Sequence, residues 1–156
     1  MKRSVSKRVV KKGKKIKSIS KLKKEAWDAF SRMIRLKYAD NNGYVGCVTC
    51  GVGKHWKESQ AGHFLDGRHN SVLFDERNVH PQCVKCNMFM SGNKIKYYEF
   101  MRIKYGQETI DELEFLDTKD KKFTREELID MCNKYKIEAE KIMKEGMNDI
   151  GSEIPY

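Results

Sequence analysis

Two C-x-x-C pairs, Cys47/Cys50 and Cys83/Cys86, constrain this chain more than any other feature. The 32 residues between them are polar and punctuated by glycine, too poor in apolar side chains for a large core of their own. Four thiolates in two knuckles match the soft, tetrahedral preference of Zn²⁺. A redox pair or an iron–sulfur cluster is the alternative use of four cysteines, but a polar loop flanked by both pairs favours structural zinc. A closed four-sulfur site leaves no coordination position open, so any catalytic cation has to sit elsewhere. The fifth cysteine, Cys132, falls on an apolar helical stripe and reads as a core residue.

Charge is unevenly placed. Residues 1 to 24 carry twelve Lys or Arg and no acid, while the remainder carries twenty basic and twenty-two acidic residues. The net charge of +10 therefore belongs to an N-terminal arm. Such an arm repels itself, stays solvated and gains counterion-release energy on nucleic acid. A solubilising tail is the plainer use of the same residues. No apolar run approaches the roughly 18 residues of a membrane span, and no apolar stretch follows the charged N-terminus as in a secretory signal. The expectation is a soluble intracellular protein with no membrane partner.

Periodicity divides the rest. Leu22, Ala26, Phe30, Met33, Ile34 and Tyr38 recur at helical spacing, and Asn41-Asn42-Gly43 ends that helix. "YVGCVTCG" resembles a strand entering a zinc knuckle, and "QAGHF" with "SVLF" predicts a short hairpin. "CVKCNMFMSGN" opens a short helix at the second cysteine pair. Helices are expected over 94–105, capped by Gly106, and over 108–116. A last helix begins at the capping box "TREE" and carries the stripe Leu128, Met131, Cys132, Tyr135, Ala139 and Ile142. The expected layout is a disordered basic arm over 1–18, a helix within 19–43, a zinc-bound core over 44–93, a helical region over 94–146 and a tail over 147–156. The fold class is α+β, with helices flanking a small zinc-stabilised core.

Between and beside the cysteines stand His63, Asn78 and Asn87, with Asn78 five residues before Cys83 and Asn87 directly after Cys86. Singly, each has an ordinary reading: a surface histidine, or asparagines satisfying turn backbone. In this order they resemble the HNH or ββα-metal nuclease module. There, a histidine ends the first strand of a hairpin, a middle asparagine pins the facing loop, and the last motif residue helps hold a divalent cation. Phosphodiester hydrolysis needs a base of near-neutral pKa, which imidazole supplies, and a hard cation on the phosphate. It also needs a carbonyl to hold the imidazole tautomer, and a loop pinned by Asn78 is placed to offer one.

"GYVGCVTCG", "QAGHF", "LFDERNVHPQCVKCN" and "SGN" together resemble the NinG/Rap recombination-protein family of lambda-type phages. The resemblance runs from about Tyr44 to Asn93 and is weaker in the helices on either side. It implies a structure-selective endonuclease acting on branched DNA (Holliday junctions or D-loops), encoded by a phage and working in the host cytoplasm. By the same resemblance His63, Asn78 and Asn87 are catalytic, and the four paired cysteines hold structural zinc. Asn87 and His63 are candidate ligands of a catalytic Mg²⁺ or Mn²⁺. Phage resolvases of the endonuclease VII kind share the zinc and asparagine arrangement more distantly.

One position departs from that pattern. Many HNH modules carry Asp immediately before the histidine, and here the residue is Gly62. Either His63 itself binds the metal, or Asp66, Asp75, Asp40 or His80 supplies the ligand. Asp66-Gly67 also reads as a turn, His69 as surface, and His80 as support for the knuckle. Arg68, Lys85, Lys94 and Lys96 flank the site and are expected to contact DNA phosphate; solvated surface is their other reading. Tyr97, Tyr98 and Phe100 are expected in a helix core. A homodimer suits symmetric cutting of two strands, although no sequence feature demands one. A non-catalytic zinc module binding nucleic acid is the competing reading, with Gly62 its best support. An RNA-binding zinc protein is a third, and it leaves the order of His and Asn unexplained.

Overall fold

The computed structural model describes residues 16 to 66 and 69 to 146. Most of the expected basic arm, Arg68 and the tail over 147–156 lie outside the described residues. Helix α1 (Ile19–Lys37) begins at Ser18, whose hydroxyl accepts from Lys21 N at 3.2 Å. It buries Leu22, Ala26, Phe30, Met33 and Ile34 on one face. It stops at Lys37, because Asp40 then closes a turn by accepting from Asn42 N and Tyr44 N.

The last helix, α4 (Arg125–Glu145), has the full capping box: Thr124 accepts from Glu127 N, and the Glu127 carboxylate accepts from Thr124 N. It packs along α1, with the Phe30 and Tyr135 rings 4.9 Å apart and Phe74 wedged against both. Cys132 is buried on this seam, its thiol directed at Glu25 O. Helices α2 (Lys94–Tyr105) and α3 (Gln107–Asp117) meet at Gly106, whose φ of +81° would strain any other residue. Tyr97 and Phe100 are buried as expected, whereas Tyr98 is partly exposed and donates to Gln107.

Two small antiparallel pairs lie between the helices. Strand β1 (Tyr44–Gly46) pairs with β2 (Gly53–His55) around the first knuckle. Strand β3 (Gln60–His63) pairs with β4 (Val79–Gln82), setting Gly62 opposite His80 and His63 opposite Val79. The expected hairpin of "QAGHF" with "SVLF" is therefore wrong in its second strand. Val72 and Leu73 are consecutive and both buried, which a turn allows and an alternating two-faced strand does not. The true partner, "VHPQ", contains Pro81, which lacks the N–H of a ladder residue and disguises a strand.

His80 is fully buried between Tyr97 Oη (3.0 Å from Nδ1) and Tyr105 Oη (2.9 Å from Nε2). Tyr97 donates its own proton to Gly62 O at 2.8 Å, so it can only accept from His80 Nδ1–H. That leaves Nε2 to accept from Tyr105 and defines one neutral tautomer. Burial, and secondarily the Lys104 charge, hold the imidazole pKa down to about 3, against 6.5 for the free side chain.

The unfolded chain therefore binds a proton at His80 between these two values and the folded chain does not. This contribution to stability is complete above about pH 6.5 and is lost as pH falls, by about 1.4 kcal/mol per pH unit. Urea midpoints should drop from pH 7 to pH 5, while nuclear magnetic resonance finds the His80 ring neutral in the folded protein at both. An imidazolium signal at pH 5.5 in folded protein would contradict this burial.

Candidate metal centre and the adjoining histidine site

The sulfurs of Cys47, Cys50, Cys83 and Cys86 all lie within 4.8 Å of one another, and none is in a disulfide. Cys50 Sγ and Cys83 Sγ are 3.8 Å apart. Four ligands at a Zn–S distance of about 2.3 Å have tetrahedral edges of about 3.8 Å. Thr49 Oγ1 lies 3.3 Å from Cys47 Sγ, Cys86 N donates to Cys83 Sγ, and Asn93 Nδ2 donates to Cys86 Sγ. Burial alone would raise the Cys47 thiol, but hydrogen bonds from Thr49 and nearby backbone bring it down to about 7. Burial and the neighbouring thiols push Cys50 up to about 12. Several thiolates cannot share this volume without a cation, and the four cysteines could hold a metal such as zinc.

The second knuckle runs into a π-helical turn (Lys85–Phe89) that carries Asn87. Ser91, Gly92 and Asn93 follow with φ of 48°, 85° and 49°, a left-handed run that Gly and Asn tolerate. It turns the chain sharply into α2 and directs Gly92 O inward, where Gln82 Nε2 donates to it at 2.8 Å. Val84, Met88, Phe89 and Met90 stay exposed on the outside of this turn beside Lys85.

His63 ends β3. Its ring stacks on Trp27 of α1 at 4.7 Å between centroids, and its Nε2 lies 3.3 Å from Leu73 O. A carbonyl only accepts, so Nε2 carries the proton and Nδ1 is the basic nitrogen. Asn78, fully buried, holds the loop that bears Leu73. Its Nδ2 donates to Val72 O at 3.2 Å, and its Oδ1 accepts from Leu65 N at 2.8 Å. Asn87 reaches the other side of β3, donating from Nδ2 to Gln60 Oε1 at 2.8 Å. A Cβ at Gly62 would meet Gln82 Oε1 at 2.0 Å and Asn87 Oδ1 at 2.9 Å. An acid at position 62 is thus excluded unless Gln82 moves.

The other candidates are dispersed. Asp40 is spent in its turn, Asp75 holds Arg77 at 2.7 Å, and both His80 nitrogens meet tyrosines. Asp66 is largely exposed and pairs with Lys94 at 2.8 Å. Lys94 also donates to Phe64 O at 2.7 Å and His63 O at 3.3 Å, so it clamps the chain after the histidine. Lys96 pairs with Glu99, Lys85 is exposed, and His69 lies against Asp117. Sequence reasoning missed Trp27 and Gln82. A lone tryptophan three residues before Phe30, at the edge of the α1 stripe, was the available signal for the first.

The fold and site define a mixed α+β protein built on a four-cysteine cluster able to hold a metal. Comparison with known families narrows that class. Residues 2–145 match the family model described as Bacteriophage Lambda NinG protein, and the chain belongs to the NinG family. Protein ninG of Salmonella phage P22 is 33% identical over 125 residues, covering 78% of this chain and 56% of that protein. Protein ninG of Escherichia phage 933W is 36% identical and that of Escherichia phage lambda 35%, each over 94 residues, covering 58% of this chain and 43% of theirs. The chain spans about half the length of the curated relatives it matches. No solved structure matches it significantly.

Asn78→Ala should strip two buried hydrogen bonds, taking from Leu65 N its side-chain acceptor and leaving Val72 O with Asp75 N alone. A loss of about 2 kcal/mol in urea unfolding is expected, with a displaced His63 ring resonance. An unchanged His63 environment would mean that Asn78 does not hold this loop.

Proposed function

We propose that the chain is a metal-dependent endonuclease that hydrolyses phosphodiester bonds in branched DNA during phage recombination. One observation carries the reading. The His63 imidazole is oriented by Leu73 O, in a loop held by Asn78, on a strand whose other side faces Asn87 beside the cysteine cluster. Nδ1, the basic nitrogen of that tautomer, takes a proton from water in this scheme. The water oxygen then attacks the phosphorus, the bond to the 3′ oxygen breaks, and that oxygen takes a proton from solvent, giving 3′-hydroxyl and 5′-phosphate ends. His63 serves as base and not as ligand here, because a neutral imidazole has a single lone pair. Mg²⁺ or Mn²⁺, with Asn87 among its ligands, would offset the negative charge that develops on the phosphate. Trp27 and Lys94 do no chemistry in this scheme: they keep the ring and the strand end in place.

The cysteine cluster holds Zn²⁺ in this reading and has a structural role. The basic arm, Arg68, Lys85 and Lys96 supply phosphate contacts that read no sequence. Lys94 contributes through its clamp. A second copy of the chain would let both strands of a junction be cut, and sedimentation on junction DNA would count the copies. A non-catalytic nucleic-acid-binding role draws its support from Gly62, which offers no acid.

Four-way junction, flap and duplex DNA, each with Mg²⁺ or EDTA, separate the two readings. Junction cutting that needs metal is expected, with a loss of at least about a hundredfold in His63→Ala. Tight binding without cutting in any metal would leave only the accessory role. Separately, elemental analysis should find one zinc per chain, and Cys83→Ser should unfold residues 44 to 93. A folded, zinc-free protein would overturn the structural metal.

A further inference from the structure

Gln82 ends β4, is fully buried, and has its amide orientation fixed by its neighbours. Gly92 O can only accept, so the Gln82 NH₂ must face it, 2.8 Å away, with Thr49 Oγ1 at 3.1 Å. The carbonyl oxygen is therefore turned toward Gly62. It is buried and has no hydrogen-bond partner, a rare condition for such an atom in a folded protein. Asn87 points its own oxygen to the same place, because its NH₂ is spent on Gln60. Gln82 Oε1 and Asn87 Oδ1 lie 2.0 and 2.9 Å from one point, the site a Cβ of residue 62 would occupy. Two converging carbonyl oxygens repel each other unless a cation or a donor lies between them.

We propose that Gln82 supplies the oxygen that position 62 lacks, so that Gln82 Oε1 and Asn87 Oδ1 together ligate the divalent cation. The inference rests on the metal-dependent reading above and adds the missing ligand. Neutral amide oxygens are hard donors of the kind Mg²⁺ and Mn²⁺ accept. Asn87 is only partly buried and forms the open side of the pair. Gly62 and Gln82 then make one choice: a side chain at 62 would displace the oxygen arriving from 82. The acid at 62 and the amide from 82 are alternative ways of filling the same space.

The test uses the zinc-loaded full chain with its side-chain amides labelled with ¹⁵N. On Mg²⁺ titration the amide signals of Gln82 and Asn87 should shift together with a common midpoint. Asn87 moving while Gln82 stays would overturn this inference and leave the Asn87-based nuclease reading intact. If neither moves, and Mn²⁺ fails to broaden His63, both fall. As a reciprocal test, G62D combined with Q82A should bind Mn²⁺ at least about tenfold more tightly than wild type by electron paramagnetic resonance. G62D alone, still facing Gln82, should gain nothing. An equal gain in both variants would contradict the exchange.

Discussion

The crowding of four sulfurs within 4.8 Å is the constraint on which the rest depends. Thiolates that close need a cation, and a metal held by the four cysteines would tie the β1–β2 knuckle to the turn entering α2. The consequences reach the histidine site through the chain itself. Gln82 directly precedes Cys83, Asn87 directly follows Cys86, and Asn93 donates to the Cys86 sulfur. Asn87 is thus delivered to β3 by the same geometry that gathers the cysteines.

Strand β3 has two differently used sides, as the alternation of a strand requires. Gly62 faces the amides of Gln82 and Asn87; His63 faces Trp27 and the Leu73 carbonyl. Backbone clamps hold the strand in place. Tyr97 donates to Gly62 O, and Lys94 donates to the carbonyls of His63 and Phe64. Both clamps come from α2, and Trp27 comes from α1. The long helices therefore supply the apolar core and also aim the imidazole, which is how a small polar segment achieves a preorganised site.

Much of this was legible in the chain. The two C-x-x-C pairs announced a shared cluster able to hold a metal, the "TREE" box marked the start of α4 correctly, and the quoted motifs pointed to the NinG family. Other features misled. Pro81 hides β4, so "SVLF" reads in the sequence as the partner of "QAGHF". Lys94, expected as a phosphate contact, also donates to three oxygens of its own chain, which its place in the sequence does not announce. Gln82 carries no sequence signal, because a glutamine beside a cysteine has no meaning until its neighbours are known.

The sequence by itself determined the cysteine knuckles, the helix caps and the order of His63, Asn78 and Asn87. These depend on side chains a few residues apart, where spacing stands in for geometry. Only the tertiary structure decided what surrounds Gly62 and His63. Gln82, Asn87, Trp27 and Leu73 arrive there from four separate segments, and no local spacing encodes a meeting of that kind. The missing acid illustrates the difference: it was visible as an absence in the sequence, but the oxygen that fills its place is set by packing across β3 and β4.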